Sequence, residues 1–247
     1  MQVHTTVRDT TAVITFHNPP VNALPSRLLQ DLEVHIRAAG QQADIRSIVL
    51  QSEGQTFCAG ASFDELLRLE EPEEAAEFFM GFGKVMTAMR DVPKPVIVKV
   101  QGKSVGGGNG LIAAADFAVA VEDAAFKLSE LSIGIGPFVI APAIIRKTGI
   151  AFFQKMSFSP RKWFSAFDVL KAGLLSHVAE NKKRMEETVD HITEAYKKYD
   201  PEAVALLKAD VWKDTRDWEE ILPRQAAKTA SLLLRENTRR FLKNLKK

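Results

Sequence analysis

Two short stretches of this 247-residue sequence could do chemistry through their main chain rather than their side chains. The first is Gly106–Gly107–Gly108, which follows the apolar run Val96–Val100 and a turn at Gly102 and leads into the Ala-rich Leu111–Ala115. That order reads as strand, turn and helix start. Glycine lets a ligand come close to the backbone, and the N–H groups of a first helical turn have no intrahelical partner. Such a place holds an anion, or an oxygen that gains negative charge during a reaction. A tight, closely packed strand-to-helix turn would use the same residues. The second stretch, Cys58–Ala59–Gly60–Ala61, follows the strand-like Ile45–Gln51 and again ends a strand before a polar helical segment. Two turns of this kind could each offer one N–H to a single carbonyl oxygen and polarise it.

The elements that must position these turns can be read from periodicity. Gln2–Arg8 and Ala12–His17 fit a strand pair around Asp9–Thr11, and Pro19 and Pro20 break the loop His17–Leu24. Leu28, Leu29, Leu32, Ile36 and Ala39 recur at helical spacing, so Ser26–Ala39 is predicted to be an amphipathic helix. Helices are predicted over Phe63–Leu69 and Ala75–Arg90, separated by the charged break Glu70–Glu74. The short apolar runs Ile48–Leu50, Val96–Val100 and Phe117–Val121 predict an α/β fold with a largely parallel sheet covered on both faces. Beyond Arg146 the texture is helical: Ile150–Phe158, Pro160–Ala172, Lys182–Tyr199, Pro201–Trp212 and Leu222–Leu245, with one strand at Leu175–Val178.

Composition narrows the function classes. With 46% hydrophobic and 26% charged residues, the chain can bury one substantial core. A net charge of +2, without basic clusters interleaved with aromatics, argues against a nucleic-acid partner. Cys58 is the only cysteine, which excludes an intrachain disulfide and suits a reducing cytoplasm; with no histidine near it in sequence, it reads as a small packing residue. The five histidines show no close pairing, so no metal site is expected. The first residues lack a basic and then apolar leader, and no apolar run reaches the ~20 residues needed to span a bilayer. A cytoplasmic protein with no membrane partner is expected.

With CAGA before GGG, and then Leu128–Ser129–Glu130 running into Gly134–Ile135–Gly136–Pro137, the chain resembles the crotonase (enoyl-CoA hydratase/isomerase) superfamily over essentially its whole length. The resemblance implies a ββα spiral core over 1–195 and a mainly helical C-terminal region over 196–247 that serves oligomerisation and covers the pocket. It also implies an acyl-CoA substrate with no separate cofactor, and a homotrimer or dimer of trimers. The oxyanion hole would be the N–H groups of Ala61 and Gly107. Glu130 would be the general acid/base, its pKa raised by the apolar neighbours Leu128, Leu131 and Ile133. Substrate contacts carry over to Asn22, Ala23, Leu24, Ala59, Gly60, Ser62, Gly106, Gly108, Gly110 and Pro137, although Asn22 would serve equally well in a buried capped turn.

One departure from the family matters. Gly110 stands where two-glutamate hydratases carry their second carboxylate, and Asn109 beside it is rotated by about 100° on a helix. A single carboxylate suffices for a double-bond isomerase and also for hydration on one face. The pattern GGGxGL with LSELxIGIGP, Pro142, Arg146 and Gly149 looks like one-glutamate methylglutaconyl-CoA hydratases. An enoyl-CoA hydratase of that type is therefore expected, with an isomerase as the alternative and an acyl-CoA binder without turnover as the rival class. A second substrate carboxylate would call for a cation, with Lys103, Lys127 and Arg146 as candidates. The basic end formed by Arg235, Arg239, Arg240, Lys243, Lys246 and Lys247 would complement the helix dipole or hold CoA phosphates of a neighbouring subunit.

Overall fold

A computed structural model describes residues 1–245. The chain opens with an antiparallel hairpin of β1 (Gln2–Arg8) and β2 (Thr11–His17), followed by α1 (Ser26–Gln41), whose predicted stripe Leu28, Leu29, Leu32 and Ile36 is buried. Three strand–strand–helix units come next. The first is β3 (Ser47–Ser52), β4 (Thr56–Cys58), the single turn α2 (Phe63–Leu66) and the long α3 (Pro72–Asp91). The second is β5 (Val96–Val100), β6 (Lys103–Val105) and α4 (Gly107–Ala113). The third is β7 (Phe117–Val121), β8 (Ala125–Lys127), a 3-10 turn at Glu130–Ile133 and α5 (Ala141–Ser157).

Each unit gives its first strand to one sheet and its second to another. The larger sheet has the order β1-β2-β3-β5-β7-β10 and is parallel from β2 onward, with β10 (His177–Ala179) closing its far edge. The smaller sheet has the order β4-β6-β8-β9; its first three strands are parallel, and β9 (Phe164–Ser165) pairs antiparallel to β8. This is the expected ββα spiral. Its consequence is positional: the C-terminal ends of β4, β6 and β8 lie side by side, and each leads into one of the three stretches singled out by sequence.

The helical C-terminal third consists of α6 (Ala166–Lys171), α7 (Lys182–Tyr196), α8 (Pro201–Val211), α9 (Trp218–Leu233) and α10 (Glu236–Leu245). Besides shifts of one to three residues at β10, α7 and α8, its boundaries differ from the periodicity reading in three larger ways. The predicted helix Pro160–Ala172 is a turn, β9 and then α6, because Phe164 is drawn into the core beside Phe126 and a Ser165–Asp168 capping box starts the helix only there. The predicted helix at Ile150 begins at Ala141 and bends at Gly149, whose φ is 73°. The single helix expected over Leu222–Leu245 is two helices, broken after Leu233 so that α10 can fold toward the 3-10 turn. One buried cluster joins the sheets to Trp212, Trp218, Leu222, Leu233 and Leu242, so packing runs unbroken across the 195/196 boundary. Among the described residues, no helix is long and apolar enough to cross a membrane.

Candidate active site

The register of the small sheet places Cys58 beside Ser104 and Ser104 beside Phe126, so the three turns that follow leave the sheet together. In the first turn, Leu24 N–H donates to Gly60 O (2.8 Å) and Ser62 N–H donates to Leu24 O (3.0 Å). That is a parallel bridge between Leu24 and Ala61, and it aims the N–H of Ala61 away from Leu24. Gly60 turns the chain with φ 88°, and its own N–H donates to Cys58 Sγ at 3.3 Å. In the second turn, Gly106 takes φ 51° and its N–H donates to Lys127 O at 2.9 Å. Gly107 then begins α4, where its N–H has no intrahelical acceptor. The two turns touch: a Cβ built on Gly60 would lie 3.8 Å from Gly107 N.

The third turn brings the carboxylate. A Cβ on Gly106 would lie 2.8 Å from Glu130 Oε1, so the carboxyl rests directly on the backbone that precedes Gly107. Asn109 Nδ2 donates to Lys127 O (2.9 Å), the same carbonyl that Gly106 N–H uses, and ties the start of α4 to the strand leading to Glu130. Glu130 Oε2 is buried and, among the described residues, has no hydrogen-bond partner. Burial pushes this carboxyl up to about 7, against the pull of the backbone N–H groups of Glu130 and Ser129.

These groups face a cavity of about 270 Å³ whose walls are mostly apolar, among them Phe63, Leu66, Phe79, Phe82, Ile133 and Ile140, with the hydroxyl residues Ser129 and Thr229; among the described residues, Glu130 is the only ionisable one that lines it. Of the residues predicted from sequence, Ala23, Ala59, Gly60, Ala61, Gly106, Gly107, Glu130 and Pro137 line it. Asn22, Leu24, Ser62, Gly108 and Gly110 do not, and each has a packing task instead. Asn22 is a clamp: its Nδ2 donates to Glu53 O and Thr56 O (both 2.7 Å) and its Oδ1 accepts from Asn18 N–H. Leu24 is fully buried behind the first turn, and Ser62 caps α2 by accepting from Glu65 N–H. Gly108 packs against Cys58 and Ser104, where a Cβ would come within 2.7 Å of Cys58 Cβ. Gly110 is blocked by Ile140, whose Cγ2 lies 2.4 Å from where a Cβ would be, so the place of a second glutamate is filled by an isoleucine.

The cation candidates stand off the cavity. Lys103 and Lys127 lie over the Trp163 ring, 5.4 and 4.1 Å from its centroid. Arg146 bonds Asp214 (3.1 Å) and Val211 O, and covers Trp212. In the basic tail, Arg240 pairs with Glu236 of its own helix and Arg239 turns inward to carbonyls of residues 66–69. Lys246 and Lys247 lie outside the described residues. Sequence reasoning missed the walls supplied by Phe79 and Phe82 of α3 and Thr229 of α9. Helical periodicity marks those faces as buried but does not say that part of the buried face lines a void.

A sequence model of the family described as enoyl-CoA hydratase/isomerase matches residues 6–238. The "Probable enoyl-CoA hydratase" of Bacillus subtilis (strain 168) is 32% identical over 197 residues, 79% of this chain and 76% of that protein. The human "Enoyl-CoA hydratase domain-containing protein 3, mitochondrial" is 31% identical over 71% of this chain, which spans 58% of its length. The crystal structure of enoyl-CoA hydratase from Bacillus halodurans superposes with a TM-score of 0.92 at 23% identity, covering 98% of this chain and 99% of that one, a likeness of fold.

Proposed function

The chain belongs to the enoyl-CoA hydratase/isomerase family, and we propose that it hydrates an α,β-unsaturated acyl-CoA, with the N–H groups of Ala61 and Gly107 holding the thioester oxygen and Glu130 moving the proton. The observation that carries this is the unpartnered, buried Oε2 of Glu130, among the described residues the one ionisable group on a mostly apolar cavity, set against the backbone that leads to Gly107. With the carbonyl oxygen between two fixed donors, water adds its oxygen to Cβ while Glu130 takes one of its protons. Charge gathers on the thioester oxygen as an enolate, and Glu130 returns that proton to Cα. Loss of one such donor costs on the order of 3 kcal/mol in related chemistry. A carboxyl near pKa 7 is suited to both halves, since it is half ionised at neutral pH.

The same single carboxylate also favours a second reading, double-bond isomerisation, in which Glu130 carries a proton between Cα and Cγ and no water is added. The filled space at Gly110 leaves no second acid to separate the two. Among the described residues no cation lines the cavity to meet the second carboxylate of methylglutaconyl-CoA, and we propose an uncharged acyl group instead. A panel of crotonyl-CoA, methylglutaconyl-CoA and a β,γ-enoyl-CoA, followed by product mass, separates these. Gain of one water from crotonyl-CoA, abolished in Glu130→Gln, is expected; conversion of the β,γ-enoyl-CoA at constant mass would replace hydratase by isomerase.

A homo-oligomer is also proposed. The only residue that α8 buries is Lys208, while Leu206 and Leu207 on the same helix are each 65% exposed, the reverse of a surface helix on a monomer. Light scattering should report a multiple of 27.4 kDa, and Leu206→Glu with Leu207→Glu should reduce it.

A further inference from the structure

Two segments that line the cavity are both held by α10. α2 is a single turn, too short to hold its own shape with only the local Ser62 cap, so contacts from outside must anchor it. From the middle of that turn, the Glu65 carboxylate accepts from the N–H (2.9 Å) and hydroxyl (2.5 Å) of Ser26 on α1. At its end, the guanidinium of Arg239 in α10 donates to three backbone carbonyls, those of Leu66 (3.0 Å), Leu67 (3.0 Å) and Leu69 (2.8 Å). The Arg239 side chain is only 16% exposed, and charge-assisted bonds from a rigid fork to three acceptors fix direction as well as distance.

One residue earlier, the buried Thr238 donates its hydroxyl to Gly134 O (3.4 Å) and fills the space beside Gly134, where a Cβ would lie 2.7 Å from Thr238 Oγ1. Phe63 and Leu66 of α2 form part of one cavity wall; Ile133 and Ile135, on either side of Gly134, form part of the other. Glu130 sits at the head of that second segment, so α10 touches both an apolar wall and the strip of chain that begins with the carboxylate.

We infer that Arg239 is a specificity-determining positioning residue: by capping the end of α2 it fixes Phe63 and Leu66 as a wall and so limits the size of acyl group the cavity admits. The inference rests on the acyl-thioester reading above. Arg239 touches no reacting atom. Without it, the three carbonyls lose their donor, α2 loosens and the wall yields, while Thr238 still holds the segment after Glu130.

The test is ligand binding by calorimetry with butyryl-CoA and octanoyl-CoA, saturated thioesters that present an acyl chain but cannot be hydrated. Arg239→Ala is expected to weaken butyryl-CoA by about tenfold while octanoyl-CoA binds as well as before or better, on the scale of a lost charge-assisted bond. Arg239→Lys, which keeps the charge but loses the fork, is expected to shift the ratio by about threefold and serves if the alanine variant does not fold. Amide exchange over residues 63–70 should quicken in either variant while β5 stays protected, which a merely global loss of stability would not produce. Equal weakening of both thioesters, or unchanged exchange over 63–70, overturns the inference. A wild type that binds both thioesters but turns over no enoyl-CoA would remove the proposed activity and leave the wall intact; one that binds neither removes both.

Discussion

Two carboxylates lie in the interior of this protein under opposite conditions. Asp116, immediately before β7, is saturated: Oδ2 accepts from Val96 N–H (2.7 Å) and Lys208 Nζ (2.8 Å), and Oδ1 accepts from Trp212 Nε1–H (3.0 Å). Lys208 in turn gives its remaining donors to Met89 O and Lys94 O, so the cluster closes on itself and joins α3, β5, β7 and α8. Glu130 has an orphan oxygen and an apolar cavity in front of it. A buried polar group with every partner present holds the fold together; an ionisable one that is short of partners and faces a cavity is a candidate for the chemistry of that cavity. The contrast is between neighbourhoods, since the residue chemistry is nearly the same.

The sharpest way to break this comparison is to make the same change at both places. Glu130→Gln keeps shape and removes the titrating group, and kcat is expected to fall by about 10²–10⁴ with thermal stability unchanged or raised. Asp116→Asn leaves the Lys208 ammonium without its counter-charge, and a cost of about 3–5 kcal/mol is expected, with the remaining folded protein turning over normally. Chemical denaturation and steady-state kinetics on the two variants decide it. A Glu130→Gln variant that unfolds, or an Asp116→Asn variant that folds well but is inactive, would reverse the assignment.

The pH dependence follows from the same asymmetry. The folded Glu130 carboxyl titrates near 7 against an ordinary value of 4.5, so between those values the folded chain holds a proton that the unfolded chain has lost. Stability from this group therefore falls as pH rises through that window, by about 3 kcal/mol once above 7. Denaturation curves at pH 4.5 and pH 8 should differ more in the wild type than in Glu130→Gln. In the hydration direction, kcat/KM should rise through pH 7 and level off, as the carboxylate is the form that accepts the proton from water.

A smaller effect is expected at Gly110. Ile140, just before α5, and Met86 of α3 occupy the space a side chain would need, so Gly110→Ala should overpack α4 against them and cost about 1–3 kcal/mol. Gly110→Glu should lose stability without gaining rate. A faster, stable Gly110→Glu variant would mean that the cavity can hold two carboxylates after all.

Much of this was legible before any coordinates. The long strands of the larger sheet and the two small-residue turns could be read because they are local, each a run of a few residues with a backbone requirement, whereas the short strands β4, β6 and β9 of the smaller sheet carry too few residues to show a period and were not legible. The placement of Ala61, Gly107 and Glu130 around one cavity was supplied by family resemblance, since no periodicity reveals that β4, β6 and β8 are neighbours. Helix ends beyond Arg146 were poorly legible because tertiary contacts decide them: Phe164 leaves a helical pattern to enter the core, and the chain breaks after Leu233 so that Thr238 can meet Gly134. Loop residues such as Asn22 were ambiguous for a related reason. An amide that clamps two carbonyls and one that binds a ligand look alike until their partners are known.

The smallest predicted effect tests the partner rule inside the active-site region itself. Cys58 is fully buried, and burial pushes its thiol up to about 12, so by pKa displacement alone it would be as strong a candidate for chemistry as Glu130. Its sulfur, however, already accepts from Gly60 N–H, and it packs behind the turn against Gly108. By the logic that separates Asp116 from Glu130, Cys58 belongs with the structural group. Cys58→Ala should leave one buried N–H unpaired and cost about 1 kcal/mol, with kcat reduced by less than about tenfold as the Gly60–Ala61 turn relaxes. Cys58→Ser, which restores an acceptor, should recover most of the rate, and the native thiol should resist alkylation at neutral pH. Loss of activity in both variants as deep as in Glu130→Gln would show that a displaced pKa, rather than a missing partner, marks the working groups of this site.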